Sequence, residues 1–235
     1  LLLDRIQVDY IGELPVVSER GNHLVGHDWF IKRAFDVVVS AVLLVALSPL
    51  LLLTAVVVRL SSPGPIIFKQ LRVGIGGSHF KFLKFRTMYV GSDQTTHEDY
   101  ARGWITGHSL DDDGSEKPAV HKMQRDPRVT PVGRILRASS IDELPQLWNV
   151  LRGDMSLVGP RPPIPYELRN YTEWHRRRLA MPPGVTGLWQ VRGRNHLSFE
   201  DMVRLDLDYI EQWSIGLDIG ILLRTVPALV LHRGS

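Results

Sequence analysis

The sequence predicts a mainly α protein with a little β, organised around an apolar helix that is broken near its middle. Three observations carry that reading. Residues 37–58 (VVVSAVLLVALSPLLLLTAVVV) carry no charge and hold Ser48-Pro49 near their centre. The chain after Arg134 is dominated by helical patterning, clearest in FEDMVRLDLDYIEQW, whose apolar positions are Phe199, Met202, Val203, Leu205, Leu207, Ile210 and Trp213. Strand character is concentrated in IIFKQLRV and FKFLKFRTM, joined across Gly74–Ser78.

The totals exclude several classes. A chain of 235 residues has room for one sizeable core or two small units. With no cysteine it has neither a disulfide framework nor a thiolate metal site. Lys and Arg number 28 against 25 Asp and Glu. The chain is therefore no global polycation, and an anionic partner must be met by local clusters.

Residues 1–30 hold short apolar pieces broken by Gly and Pro, and read as a linker or the tail of an upstream domain. The uncharged run follows. As a straight helix it would be roughly 33 Å long, enough to cross a bilayer core. Pro49 has no N–H and its ring clashes one turn back, so the Val45 carbonyl loses its usual donor. In lipid that carbonyl needs another partner, and the Ser48 hydroxyl or a water would serve. Positive charge is similar on the two sides, with Arg20, Lys32 and Arg33 before the run and Arg59, Lys69 and Arg72 after it. The positive-inside bias therefore selects no orientation. A helix that enters, breaks at Ser48-Pro49 and returns to the same face accounts for both features. A kinked spanning helix and a buried soluble helix are the other readings.

Next, Ser61-Ser62-Pro63-Gly64-Pro65 marks a turn. In the strand pair, Lys69, Arg72, Lys81, Lys84 and Arg86 alternate with aromatic residues, which suits a membrane interface or an anionic substrate better than nucleic acid. Residues 91–128 are polar, and Asp111-Asp112-Asp113 is either a metal site or, more commonly, a solvated loop. Further on, GRILRASS and ELPQLWNVLRGDMS read as helical, with Arg152-Gly153-Asp154 as a helix end and turn. Residues 166–180 read as one helix ending in the basic cluster Arg176–Arg178. MPPGVTGLWQVRGRN reads as a loop, and IGLDIGILLRTVPALVL as an interfacial helix or the last piece of the core.

The stretch SSIDELPQLWNVLRGDMSLVGPRP carries the chemistry. Ser140 and Glu143 fit a capping box. Pro145, however, is tolerated only near a helix start, which moves the expected cap to Asp142 and places its carboxylate at a phosphate-favouring helix end. Arg137 precedes the pair, and Arg161 follows it in Pro-Arg-Pro, where flanking prolines stiffen the backbone. A carboxylate attacking a phosphate meets like charge and needs cationic help, so two arginines around Asp142 describe a site for phosphoryl chemistry. Purely structural Arg–carboxylate pairing is the alternative.

At these residues the chain resembles the bacterial sugar transferase family, the monotopic polyprenyl-phosphate phosphoglycosyl transferases that start exopolysaccharide, capsule, O-antigen and glycoprotein glycan assembly. The matching pieces occur in family order: KRAFDVVVSAVLLVALSPLLLL, SPGPIIFKQLRVG, FKFLKFRTM, DPRVTPVGRILRASSIDELPQLWNVLRGDMSLVGPRP, PPGVTGLWQVRGR and RLDLDYIEQWSIGLDIGILLRTVPALV. Residues 91–124 match no part of it. The resemblance implies a re-entrant membrane helix hairpin over 31–59, broken at Ser48 and Pro49. It also implies a membrane-surface-associated helical catalytic domain over 60–235, on the cytoplasmic face of a bacterial inner membrane, with residues 1–30 ending an upstream portion of a longer protein. It makes Asp142 and Glu143 the catalytic dyad with Mg²⁺ bound there. Arg137 and Arg161 become phosphate-binding residues, with Lys84 and Arg86 as helpers. Gly187, Trp189 and Gln190 would form a nucleotide loop, or else a structural turn. The expected reaction transfers a sugar 1-phosphate from a UDP-sugar to polyprenyl phosphate through a phosphosugar-aspartyl intermediate. A single-step transferase and a non-enzymatic membrane-anchored binding protein are the alternatives. The expected partners are the UDP-sugar, the lipid, the membrane and a second copy of the chain, with no nucleic acid.

Overall fold

Ser48-Pro49 decides the first half of the molecule. A computed structural model describes residues 6–11, 14–19, 26–91, 102–105, 109–110, 116–117, 128–193 and 197–231. In it α1 (His27–Ala46) and α2 (Ser48–Ser61) are separate helices meeting at a 63° bend. Pro49 falls in the first turn of α2, where its missing N–H costs nothing. The Ser48 hydroxyl donates to the Val45 carbonyl at 2.8 Å, the partner the break requires. Among the described residues no single helix is long and apolar enough to cross a membrane, and this bent pair passes that test only jointly.

The two helices bury polar residues and turn part of their apolar surface outward. α1 buries Lys32, Asp36 and Ser40, spaced four apart on one face. Val38, Val42, Val45, Leu52, Leu53 and Leu60 are exposed. A water-soluble helix buries its apolar stripe and solvates the polar one, so a large exposed apolar face on this pair fits an interaction surface such as a membrane.

The buried polar stripe ties α1 to the rest beside the apolar packing of Phe35, Val39, Leu43 and Leu44 on the main core. Lys32 Nζ donates to Asp218 Oδ2 (2.7 Å) and to the Val158 carbonyl (3.1 Å). Asp36 accepts from the Leu157 N–H (3.0 Å). Arg33 donates to the carbonyls of Val150 and Leu151 at 2.6 and 2.7 Å, meeting the negative end of α5 (Gln146–Arg152).

β3 (Ile67–Val73) and β4 (His79–Phe85) pair antiparallel, as expected, with Ile67 opposite Phe85 and Val73 opposite His79. Gly76 and Gly77 take positive φ (62° and 83°) in the connection, which a side chain would strain. Phe80 and Phe82 of β4 join Leu147 and Val150 of α5, Leu157 and Val158 of β7 (Ser156–Val158), and Tyr209 and Ile221 in the main core. α8 (Phe199–Glu211) is capped by Ser198 and buries Phe199, Met202, Val203 and Leu207 of the expected face, with Leu205 and Ile210 half-buried. It also buries Asp206 and Tyr209, which the apolar pattern did not include. α9 (Ile215–Leu231) packs one side on the core. Asp218 and Ile221 face the core, and Ile219 and Leu223 are exposed.

Several local expectations are corrected. Residues 166–180 are not one helix. They form a 3-10 turn (Glu167–Asn170), α6 (Glu173–Arg176) and a second 3-10 turn (Arg177–Ala180). Tyr171 is extended, and Thr172 restarts the chain through a capping box with His175. The loop expected at MPPGVTGLWQVRGRN contains β8 (Gly184–Thr186), parallel to β7, and α7 (Leu188–Arg192). That pairing needs bare backbone: a Cβ on Gly184 would lie 2.1 Å from the Gly159 nitrogen. Within 1–30, β1 (Ile6–Ile11) and β2 (Leu14–Glu19) form an antiparallel hairpin, and α1 begins at His27. Residues 102–105 form α3, and β5 (Ser109–Leu110) pairs with β6 (Glu116–Lys117). Asp111-Asp112-Asp113 lies outside the described residues.

Candidate active site

The site is assembled on a reversal of chain direction. α4 (Pro131–Ser139) starts with Pro131 in its first turn and Thr130 as N-cap, whose hydroxyl accepts from the Gly133 N–H at 2.9 Å. Gly133 permits the start to lie on the segment after β4, since a Cβ there would sit 2.1 Å from the Thr87 carbonyl oxygen. Ser140 ends the helix in the left-handed region (φ 55°). This corrects the expected cap. Ser140 closes α4 instead of opening a capping box, and Asp142 is the centre of a three-residue 3-10 turn (Ile141–Glu143) ahead of α5. Pro145 sits immediately before α5, where its missing N–H is harmless.

This turn carries Asp142 inward, leaving it 5% exposed. Its carboxyl is pushed up to about 6, first by burial and then by the neighbouring charge of Glu143, while Lys84 and Arg137 pull the other way. The helix-end stabilisation expected for Asp142 is therefore outweighed by burial. Lys84, on β4, is itself pulled below the ordinary lysine range by burial, with Asp142 opposing the shift. Four of the residues singled out in the sequence thus act on one another: Asp142, Glu143, Lys84 and Arg137.

The KFRTM segment is the junction that makes this possible. Lys84 faces the dyad electrostatically. Arg86 turns its guanidinium to the other side and donates to the carbonyls of Pro65 (2.7 Å), Val58 (3.2 Å) and Ser62 (2.6 Å), tying down the end of α2. Both Nη groups are engaged at the end of α2, Nη2 also reaching the Ser62 hydroxyl at 3.0 Å, while the buried Nε has no hydrogen-bond partner among the described residues. Thr87 then receives the Arg137 Nε at its hydroxyl (2.9 Å).

Arg161 lies in a second cluster. Its two Nη groups donate to Glu167 at 3.1 and 3.2 Å, and its guanidinium lies 5.9 Å from the Trp104 ring centre. Arg72 links the clusters, since its charge acts on both Lys84 and Arg161. In the GVTGLWQ segment, Gly187 is packed against the Gly159 carbonyl, Trp189 is buried among Tyr171, Phe199 and Val203, and Gln190 Nε2 donates to the Val185 carbonyl at 3.3 Å.

Sequence reasoning passed over Gln146 and Glu167, and took Arg72 only as one of the basic residues interleaved with aromatics. Gln146 is 2% exposed, follows Asp142 by four residues, and its carboxamide nitrogen has no hydrogen-bond partner. The helical spacing to Asp142 was the available signal. Among the described residues no three metal-ligating side chains cluster. Asp142 and Glu143 nonetheless suit Mg²⁺, which commonly takes one or two protein carboxylates and completes its shell with water and substrate phosphates.

A buried carboxylate in a cationic frame, carried beside a broken helix pair with an exposed apolar face, defines a membrane-surface enzyme built for phosphoryl chemistry. The family model described as bacterial sugar transferase matches residues 27–232, and the chain belongs to that family. It is 44% identical over 204 residues to the exopolysaccharide production protein ExoY of Sinorhizobium fredii, covering 87% of each chain. It is 46% identical over 209 residues to the UDP-glucose:undecaprenyl-phosphate glucose-1-phosphate transferase of Caulobacter vibrioides, covering 85% of this chain and 69% of that one. It is 40% identical over 206 residues to the undecaprenyl-phosphate galactose phosphotransferase of Salmonella typhimurium, covering 88% of this chain and 42% of that one. The family makes the chain a phosphoglycosyl transferase, whose general reaction moves a sugar 1-phosphate onto a polyprenyl-phosphate carrier. The non-enzymatic alternative is thereby set aside.

Proposed function

We propose that the chain transfers a sugar 1-phosphate from a UDP-sugar to a polyprenyl phosphate in two displacements on Asp142. The observation that carries this is the buried Asp142 carboxylate, titrating near 6 with Lys84 and Arg137 acting on it. At neutral pH the group is ionised and nucleophilic, yet stripped of most of its water. A carboxylate oxygen attacks the phosphorus that bears the sugar. The bond from that phosphorus to the UMP oxygen breaks, and UMP leaves with the electron pair. An oxygen of the lipid phosphate then attacks the aspartyl phosphorus, and the carboxylate is regenerated with polyprenyl-diphospho-sugar as product. Arg137 and Lys84 neutralise charge at the reacting phosphate, and Arg161 grips a second phosphate. Mg²⁺, held by Asp142 and Glu143, supplies Lewis-acid neutralisation of the diphosphate when bound.

The bent α1–α2 pair supports residues 31–59 entering and leaving one membrane face, with the site held at headgroup depth where a lipid phosphate resides. We place that face on the cytoplasmic side of a bacterial inner membrane, where UDP-sugars are available, and assign the product to the first membrane step of an exopolysaccharide, capsule or O-antigen. The test is to incubate the chain with labelled UDP-sugar and no lipid. UMP release in one equivalent, with label on a peptide containing Asp142, is expected. Release only when both substrates are present would establish a single-step transfer instead.

A further inference from the structure

The segment Gly159–Ile164 that carries Arg161 is fastened along its length. Arg72 Nη1 donates to the Pro162 carbonyl at 2.8 Å, and the Val73 N–H donates to the Pro163 carbonyl at 2.9 Å. Ile164 N–H donates to Glu167 Oε2 at 3.1 Å. Glu167 is 1% exposed and takes one Arg161 Nη on each carboxylate oxygen. Arg72 is brought down to about 10 by burial and then by the Arg161 charge. Burial alone would raise Glu167, but Arg161 and Arg72 hold it down to about 2, so it is ionised at every working pH. Two arginines therefore share one buried carboxylate, and the pair keeps an excess of positive charge.

We infer that Glu167 is a positioning residue for the substrate phosphate. By accepting both Nη groups it fixes the Arg161 fork in one orientation, so that the donors facing away from Glu167 meet a phosphate oxygen of the nucleotide or of the lipid. This rests on the reading of Arg161 as a phosphate-binding side chain. Two consequences of Glu167 oppose each other. Its charge weakens the attraction of Arg161 for an anion, and its geometry removes the ordering that a free arginine would need on binding. Arg72 already restores the excess charge, so ordering prevails.

The test uses the full chain in lipid nanodiscs and calorimetric Kd values for UDP and, separately, for a short-chain polyprenyl phosphate. Native chain, Glu167→Gln, Arg161→Ala and the double variant are compared, each checked for folding by thermal unfolding. Glu167→Gln is expected to weaken by about tenfold, or about 1.4 kcal/mol, the same ligand that Arg161→Ala weakens, with the other ligand unchanged. The double variant binds no more weakly than Arg161→Ala. Unchanged or tighter binding in folded Glu167→Gln, with Arg161→Ala still impaired, overturns the positioning role alone. No effect of Arg161→Ala on either ligand overturns the reading of Arg161 and this inference with it. Should Glu167→Gln not fold, Glu167→Asp keeps the charge and shortens the reach. The same tenfold loss is expected of it, and a native Kd overturns the inference.

Discussion

Asp142 is held at the expense of stability. Its carboxyl titrates at about 6 in the folded chain against an ordinary 3.8. Between those values the native state binds more protons than the unfolded one, so stability falls as pH rises, and the whole penalty is present above about pH 6. The shift corresponds to a penalty of about 3 kcal/mol at most. Asp142→Asn is therefore expected to stabilise the chain by about 1–3 kcal/mol at pH 7.5, with a smaller gain at pH 5, read by thermal unfolding in detergent. The same variant should lose turnover by on the order of 10³-fold or more. Activity itself should fall as pH drops through about 6, where the nucleophile takes up its proton. Glu143 raises Asp142 and Lys84 lowers it. Glu143→Gln should accordingly move the acid limb of the kcat/KM profile to lower pH, and Lys84→Met should move it to higher pH. An acid limb that stays in place in both variants would assign it to another group. That Asp142, Glu143, Arg137 and Lys84 lie within electrostatic reach of one another follows from two compact motifs, but the dyad and the Lys84 role came from the family resemblance and not from spacing. Glu167 was not legible, and Arg72 was read only as one basic residue among five, because the meeting of both with Arg161 is something only folding creates.

At the scale of elements, the break at Ser48-Pro49 was legible because proline chemistry is local: the ring, the missing N–H and the hydroxyl that replaces it lie within four residues. β3 and β4 were legible from their apolar and aromatic runs around Gly76 and Gly77. The three-residue strands β7 and β8 were not, since so short a strand has no period to read and their pairing depends on Gly159 and Gly184 approaching each other. The helix expected over 166–180 failed for a related reason: Thr172 restarts the chain through its cap without disturbing the overall polarity pattern. The break also makes a prediction. Restoring an N–H at 49 and removing the hydroxyl at 48 should let α1 and α2 run on as one helix, roughly 50 Å long, which crosses a bilayer instead of returning. The chain has no cysteine, so Asp28→Cys and Ser78→Cys serve as reporters in membrane vesicles. Both should label from the same side in the native background and from opposite sides in Ser48→Ala/Pro49→Ala. Same-side labelling of the double variant would mean that packing, and not the proline, sets the bend.

Across the whole molecule, one buried ion pair ties the membrane hairpin to the catalytic body. Lys32 on α1 reaches Asp218 on α9, and Asp218 also accepts from the Tyr209 hydroxyl on α8 (2.6 Å) and from the Trp213 indole (3.3 Å). Lys32 donates in addition to the Val158 carbonyl of β7. The side chains of this pair are 2% and 0% exposed, so neither charge has water to fall back on. Arg86 makes the second tie, from the end of β4 to α2, and the next residue, Thr87, carries Arg137. The hairpin and the active-site turn are thus fixed to the same few residues, and loosening α1 should disturb the whole molecule together. Lys32→Met leaves Asp218 charged and buried, which should cost about 3–5 kcal/mol. Asp218→Leu should cost a similar amount by leaving the Lys32 charge without its counter-ion and the Trp213 indole without its acceptor, while the Tyr209 hydroxyl keeps the Val158 carbonyl. Because the two residues act on each other, the double variant Lys32→Met/Asp218→Leu should be less destabilised than the sum of the singles by about 1–3 kcal/mol. Thermal unfolding in one detergent measures all three. Strict additivity would show that the ion pair is incidental to the assembly.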